Sequence, residues 1–234
     1  MDFVHVRLRA PAGSLSDMAD FYSNELGIEQ VEELDERLTF AIGATRLEFV
    51  ASPGRPFYHF ALLTPGNRFD KALEWAGQRA KLLPYKDTGE VVFDFSNWNA
   101  LACYFHDPAG NIVEVITHRG IGDTNSEGPF VAAELLGLSE LGLVGERAPM
   151  ADLLGRRLGL ELWDGTVDEP GDLAFVGEKA RTLILCPAGR GWLPTGRPAE
   201  PHPVEAVLSG APEGEVLLED SRYGIVRGGR SRNR

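Results

Sequence analysis

Met18-Ala-Asp-Phe-Tyr-Ser-Asn-Glu-Leu-Gly-Ile-Glu29 returns later in the chain as Met150-Ala-Asp-Leu-Leu-Gly-Arg-Arg-Leu-Gly-Leu-Glu161, with six of twelve positions identical. Each copy reads as an amphipathic helix closed by a glycine, Gly27 or Gly159, where a left-handed conformation is inexpensive. An alternating apolar segment precedes each copy, at 3–8 and at 138–144. Strand-like pairs follow, at 38–42 and 46–50 and then at 173–176 and 181–186. The same order recurs between the copies: a strand at 57–63, a helix at 67–82 and strands at 91–95, 102–105 and 111–116. In that helix Phe69, Ala72, Leu73, Ala76 and Ala80 lie at helical spacing. The sequence therefore predicts an α+β chain of four successive βαβββ units, starting near residues 1, 56, 130 and 200. The fourth is truncated, because 204–226 has room for strands but not for a helix.

Three of these strands each carry a side chain able to bind a metal. They are His5 in Val4-His-Val-Arg-Leu8, His59 in Tyr58-His-Phe-Ala61 and Glu114 in Ile112-Val-Glu-Val-Ile116, spaced 54 and then 55 residues apart. Two neutral imidazoles and a carboxylate hold a divalent transition metal while leaving positions open for substrate. A strand histidine taken alone is more often a packed or surface residue, so side-chain parity is the test. Each of the three lies opposite a continuous apolar face: Val4, Val6 and Leu8 opposite His5, Tyr58, Phe60 and Leu62 opposite His59, and Val113 and Val115 opposite Glu114. Glu48 holds in the first unit the place that Glu114 holds in the second, which adds a fourth candidate ligand. Tyr104 reads either as a hydrogen-bond donor to a bound substrate oxygen or as a packed strand aromatic. Trp75 and Trp98 read as packing residues, and His106, His118 and His202 as solvent-facing. Arg7, on the His5 face, suits either an anionic substrate group or a carboxylate partner such as Glu48.

Composition narrows the function further. A net charge of −12 over 234 residues argues against a nucleic-acid footprint or an anionic membrane surface, both of which need clustered Lys and Arg. The basic stretch at 227–234 is the exception and reads as a frayed tail. Two distant cysteines, Cys103 and Cys186, make no disulfide framework and suit a reduced compartment. No segment has the pattern of a leader or a membrane span, so a cytoplasmic protein is expected. The Gly- and Ser-rich stretch 120–128 reads as a linker. It divides the chain into a first domain, 1–119, with the intact ligand set, and a second, degenerate domain, 129–229, followed by a basic tail at 230–234.

The motifs around these residues resemble those of the vicinal oxygen chelate superfamily, which includes glyoxalase I, extradiol dioxygenases, fosfomycin-resistance transferases and bleomycin-binding proteins. The resemblance rests on Val4-His-Val-Arg-Leu8, Phe21-Tyr-Ser-Asn-Glu-Leu-Gly27, Tyr58-His-Phe-Ala61 and Phe105-His-Asp-Pro-Ala-Gly-Asn-Ile-Val-Glu114. It implies paired βαβββ units forming curved mixed sheets around a metal cup. One divalent ion (Fe, Mn, Ni or Zn) would be held there by His5, His59 and Glu114. Similarity to glyoxalase I adds Glu48 as a ligand, with Glu114 or Glu48 doubling as the base. Extradiol dioxygenases offer an active-site tyrosine at the place of Tyr104, although they normally carry the metal in their second half. The resemblance implies a metal-dependent enzyme of glyoxalase, lyase or isomerase type acting on a small oxygen-rich molecule. The alternatives are a catechol-type dioxygenase or a non-catalytic binding protein of the bleomycin-resistance kind. Aligning the halves places Glu140, Glu205 and Arg227 opposite His5, His59 and Glu114, either as an ion pair in place of a metal in the second half or as simply exposed residues. Pairing of two copies of the chain is left open.

Overall fold

The first unit is built as its alternation demands. Strand β1 (Phe3–Pro11) leads to α1 (Leu15–Asp20), which runs on through a π-turn at 21–25, and then to β2 (Glu29–Leu34), β3 (Arg37–Ile42) and β4 (Thr45–Ser52). Gly27, at φ +73°, turns the chain out of the helix as the repeat predicted, and Gly159 does the same at φ +60°. The second unit contains β5 (His59–Thr64), α2 (Phe69–Arg79), β6 (Phe93–Phe95), β7 (Ala100–His106) and β8 (Ile112–His118). The third contains β9 (Gly137–Val144), α3 (Arg147–Leu158), β10 (Leu162–Gly165), β11 (Ala174–Glu178) and β12 (Arg181–Cys186). A short hairpin, β13 (Gly191–Trp192) with β14 (Arg197–Pro198), links it to the helix-free fourth unit of β15 (Val204–Ser209), β16 (Gly214–Leu218) and β17 (Tyr223–Gly228). This computed structural model describes residues 1–228, so the expected tail at 230–234 lies outside the described residues.

The units pair in an order that the sequence division did not anticipate. One mixed sheet of seven strands runs β16-β17-β15-β1-β4-β3-β2, joining the first unit to the fourth. The other, of eight strands, runs β10-β11-β12-β9-β5-β8-β7-β6, joining the second unit to the third. Residues 1–119 and 129–229 are thus not two separate sheets, since each half contributes to both. The segment read as a linker and the residues after it are fixed to the second unit. Arg68 grips it, with Nε donating to Glu134 at 3.0 Å and Nη2 to the Gly128 carbonyl at 3.0 Å. The Leu136 amide then donates to the Leu63 carbonyl. The anchored segment delivers β9 against β5, antiparallel. The remaining open first strands, β1 and β15, then pair with each other.

Both sheets give one face to a shared core. Val6, Leu8, Leu47 and Phe49 of the seven-stranded sheet meet Phe60, Leu62, Val113, Val115, Leu141 and Leu183 of the other, with Phe49 and Phe60 rings 6.4 Å apart. The fourth unit lacks its own helix, and α3 packs on β16 in its place. Trp75 is buried on α2 against Phe130, as a packing residue should be. Cys103 and Cys186 are buried free thiols. No helix among the described residues is long and apolar enough to cross a membrane. The other face of the eight-stranded sheet carries a second apolar cluster that includes Ala61, Tyr104, Ile112, Ile116 and Ile184, and His59, Glu114 and Glu140 are set within it.

Candidate metal centre

Three adjacent strands of the eight-stranded sheet bring His59, Glu114 and Glu140 together. Ala61 of β5 is in register with Glu114 of β8 on one side and with Glu140 of β9 on the other. Its methyl group leaves the space between the two carboxylates open. His59 lies two residues back on the same face of β5. All three are buried, and ligand atoms from each lie within 4.8 Å of one another.

Electrostatics makes this trio unusual. The Nδ1 atom of His59 lies 3.1 Å from the Ile112 carbonyl, which accepts its proton and leaves the Nε2 lone pair toward the carboxylates. Burial lowers the His59 pKa to about 4, opposed in part by that hydrogen bond. The 3.5 Å contact of Nε2 with Glu114 therefore joins a neutral ring to a carboxyl group and is not an ion pair at neutral pH. Burial raises the Glu140 pKa to about 8. Burial, with Glu140 next, also raises that of Glu114, while a hydrogen bond from the Tyr104 hydroxyl acts the other way. Two carboxyl groups and a neutral imidazole are all withdrawn from water, and among the described residues no Lys or Arg pairs with them to supply a compensating charge. A divalent ion supplies that charge, and one nitrogen with two carboxylate oxygens is a sound donor set for Mn, Fe, Ni or Zn. The residues fit the group.

The structure brings His59, Glu114 and Tyr104 of the expected set to one place and leaves His5 and Glu48 out. Both of those lie on the seven-stranded sheet, where His5 Nε2 is 2.7 Å from Glu48. Arg7 is in register with Glu48 of β4 and Glu205 of β15, just as Ala61 is with Glu114 and Glu140. Its guanidinium donates to Glu48 at 3.0 Å and to Glu205 at 2.7 Å. Arg9 and Arg37 approach the same carboxylates at 3.3 and 3.6 Å. The His/Glu/Glu pattern therefore occurs twice, and in the seven-stranded sheet a guanidinium occupies the cation's place. Of the two readings for Arg7, the carboxylate partner is the one observed.

The expected Glu140–Glu205–Arg227 arrangement does not form. Glu140 and Glu205 lie in different sheets, and Arg227 Nη1 donates to the Leu158 carbonyl at the end of α3. Glu140, assigned from the sequence to a lost site, is the third residue of the group that could hold a metal. Its signal was present: an acid in a strand whose other residues, Ser139 apart, are apolar or glycine. The remaining equivalent place, in register with Gly142 on β12, is Ile184, so this site offers three protein ligands.

A cavity of about 460 Å³ opens above the trio. Its walls include Tyr104, Trp98, Phe175 and Trp192. Trp98, expected only to pack, stands 4.6 Å from Phe175 and 5.0 Å from Trp163, ring to ring, and its indole donates to Asp164. His118, expected to face solvent, is buried beside Trp98 and Trp163. His106 is exposed at the start of its turn, as expected.

Solved structures of similar fold place this geometry in context. A Bacillus subtilis protein named as a candidate dioxygenase matches 97% of this chain and 85% of its own, with TM-score 0.59 and 16% identity. Two variants of glyoxalase I from Zea mays match with TM-scores of 0.55 and 0.54. They cover 97% and 88% of this chain and 93% and 74% of their own, at 13% and 16% identity. No family model matches the sequence. No curated protein matches it either. The chain has the fold of the vicinal oxygen chelate superfamily. Its particular form is three βαβββ units and a helix-free fourth in one chain, with one sheet's carboxylates open to a cavity and the other's paired with Arg7.

Proposed function

We propose that the protein is a metal-dependent enzyme of lyase or isomerase type that moves a proton on a small oxygen-rich substrate held above His59, Glu114 and Glu140. The observation that carries this reading is the pairing of two buried carboxyl groups, both with raised pKa values, beside a neutral imidazole. A bound divalent ion supplies Lewis-acid polarisation of a substrate carbonyl or hydroxyl.

The chain's own residues divide the remaining work. Glu114 stands in register with Tyr104 of β7 and serves as the anchored ligand. Glu140 has no hydrogen-bond partner among the described residues, so its carboxylate is the one free to exchange a proton with the substrate. Glu140 takes the proton from the carbon beside the polarised carbonyl and returns it to the neighbouring carbon. Trp98 and Phe175 shield the substrate from water. The organic substrate is the partner that this reading requires, and neither nucleic acid nor membrane enters it.

The second reading, a ring-cleaving dioxygenase, is favoured by the name of the Bacillus subtilis neighbour and by the apolar Ile184 at the fourth equivalent place, which leaves positions open for oxygen. An assay separates the two. Protein loaded in turn with Fe(II), Mn(II), Ni(II) and Zn(II) is given a hemithioacetal and a catechol. Isomerisation of the hemithioacetal, reduced at least about a thousandfold in Glu140→Gln, is the expected result. Ring opening of the catechol, without turnover of the hemithioacetal, would replace the isomerase reading with the dioxygenase one. Turnover of neither substrate with any of the four metals would favour a binding protein.

A further inference from the structure

We propose that Trp192 is a positioning residue for the imidazole of His59, set from a strap that lies outside the sheet's βαβββ units. This inference rests on the metal reading above.

The strap is the connection between the third and fourth units, and it crosses the open cup on its way. The indole of Trp192 is buried, with its ring centre 4.9 Å from that of His59 and an interplanar angle of 42°. On β9 it lies over Gly142, where a Cβ would stand 2.9 Å from the indole Cη2 and 3.2 Å from the His59 carbonyl oxygen. The missing side chain at Gly142 is what lets the indole settle beside His59. Two residues beyond Glu205, the corresponding place in the other sheet carries Val207.

The strap is fastened on both sides of the cup. Arg190 Nε donates to the Gly171 carbonyl at 2.7 Å, within the third unit. Arg197 donates to the Gly110 carbonyl at 3.0 Å, and its guanidinium sits 3.3 Å over the Phe57 ring, both in the second unit. Trp192 is thus clamped between the two units that supply the ligands. Tyr104 approaches the imidazole as well, at 6.2 Å between ring centres. With Nδ1 tied to Ile112, these contacts restrict the ring to the orientation that aims Nε2 at the two carboxylates.

The test measures metal binding without reference to turnover. Zn(II) affinity is read by competition with a chromophoric chelator, and the Co(II) visible band reports the coordination geometry. Trp192→Phe, which keeps an aromatic ring, should stay within about threefold of the unaltered protein. Trp192→Ala should lose about tenfold or more in affinity and shift the Co(II) band. Gly142→Ala, which displaces the indole while leaving Trp192 in the sequence, should do the same and provides the comparison if Trp192→Ala does not fold. A merely structural role would lower the melting temperature of these variants but leave affinity and spectrum as they were, and that result overturns the inference. Failure of the unaltered protein to take up either ion would overturn the metal reading, and this inference with it.

Discussion

Ala61→Arg is expected to abolish metal binding, to below about a tenth of an equivalent, while leaving a folded protein. The seven-stranded sheet already displays the arrangement this substitution would copy. Arg7 stands in register between Glu48 and Glu205, as Ala61 stands between Glu140 and Glu114. A guanidinium there presents a fixed fork of donors that a carboxylate accepts well. With Glu114 and Glu140 engaged, a divalent ion would have to displace a charge already within hydrogen-bonding distance. Metal analysis after dialysis, together with a melting curve, checks the expectation. Stoichiometric metal in a folded Ala61→Arg protein would show that the two trios are not equivalent.

The second large effect concerns stability in the metal-free state. Glu140 has a folded pKa raised to about 8 by burial, against an ordinary value near 4.5 in the unfolded chain. Between those values the unfolded state releases its proton while the folded state retains it, so stability is full below about pH 4.5 and falls as pH rises towards 8. Glu140→Gln removes that penalty with nearly the same shape. The metal-free variant should therefore melt about 5 °C or more above the metal-free parent at pH 8, and close to it near pH 5. Added metal should reverse the order at pH 8, because the ion needs the ionised carboxylate. Scanning calorimetry at the two pH values, with and without Zn(II), measures all four cases. Equal melting temperatures for the two metal-free proteins at pH 8 would mean that Glu140 carries no such strain.

Much of this organisation was legible in the residues. The repeat at 18–29 and 150–161 marked two helices and their glycine exits, and period-two alternation marked the strands around them. Parity placed His59 and Glu114 on one face, because a side chain's side of a strand is set by its position in the chain alone. Strand partnership was not legible in the same way. Alternation says that β1 and β5 each have an apolar face, but not which strand lies beside them. His5 and His59 sit in nearly identical surroundings, and the residue that separates them is two positions on: Arg7 in one strand and Ala61 in the other. Arg7 reads equally as a holder of an anionic substrate group or as a carboxylate partner until β15 brings Glu205 beside it. Glu140 was visible as an acid in an apolar strand, yet its role depended on β9 joining β5. The contacts that accompany that join, Arg68 with Glu134 and Gly128, are polar or backbone contacts with no periodic pattern.

The cation is expected at His59, Glu114 and Glu140, whereas Glu48 and Glu205 already have Arg7, and His5 has Glu48. Equilibrium dialysis of the unaltered protein, His59→Ala and His5→Ala against Zn(II) tests it directly. One ion per chain should bind to the unaltered protein and to His5→Ala with affinities within about twofold, and His59→Ala should lose about a hundredfold or more. Weakened binding in His5→Ala, with His59→Ala unaffected, would place the ion in the other sheet and contradict the account.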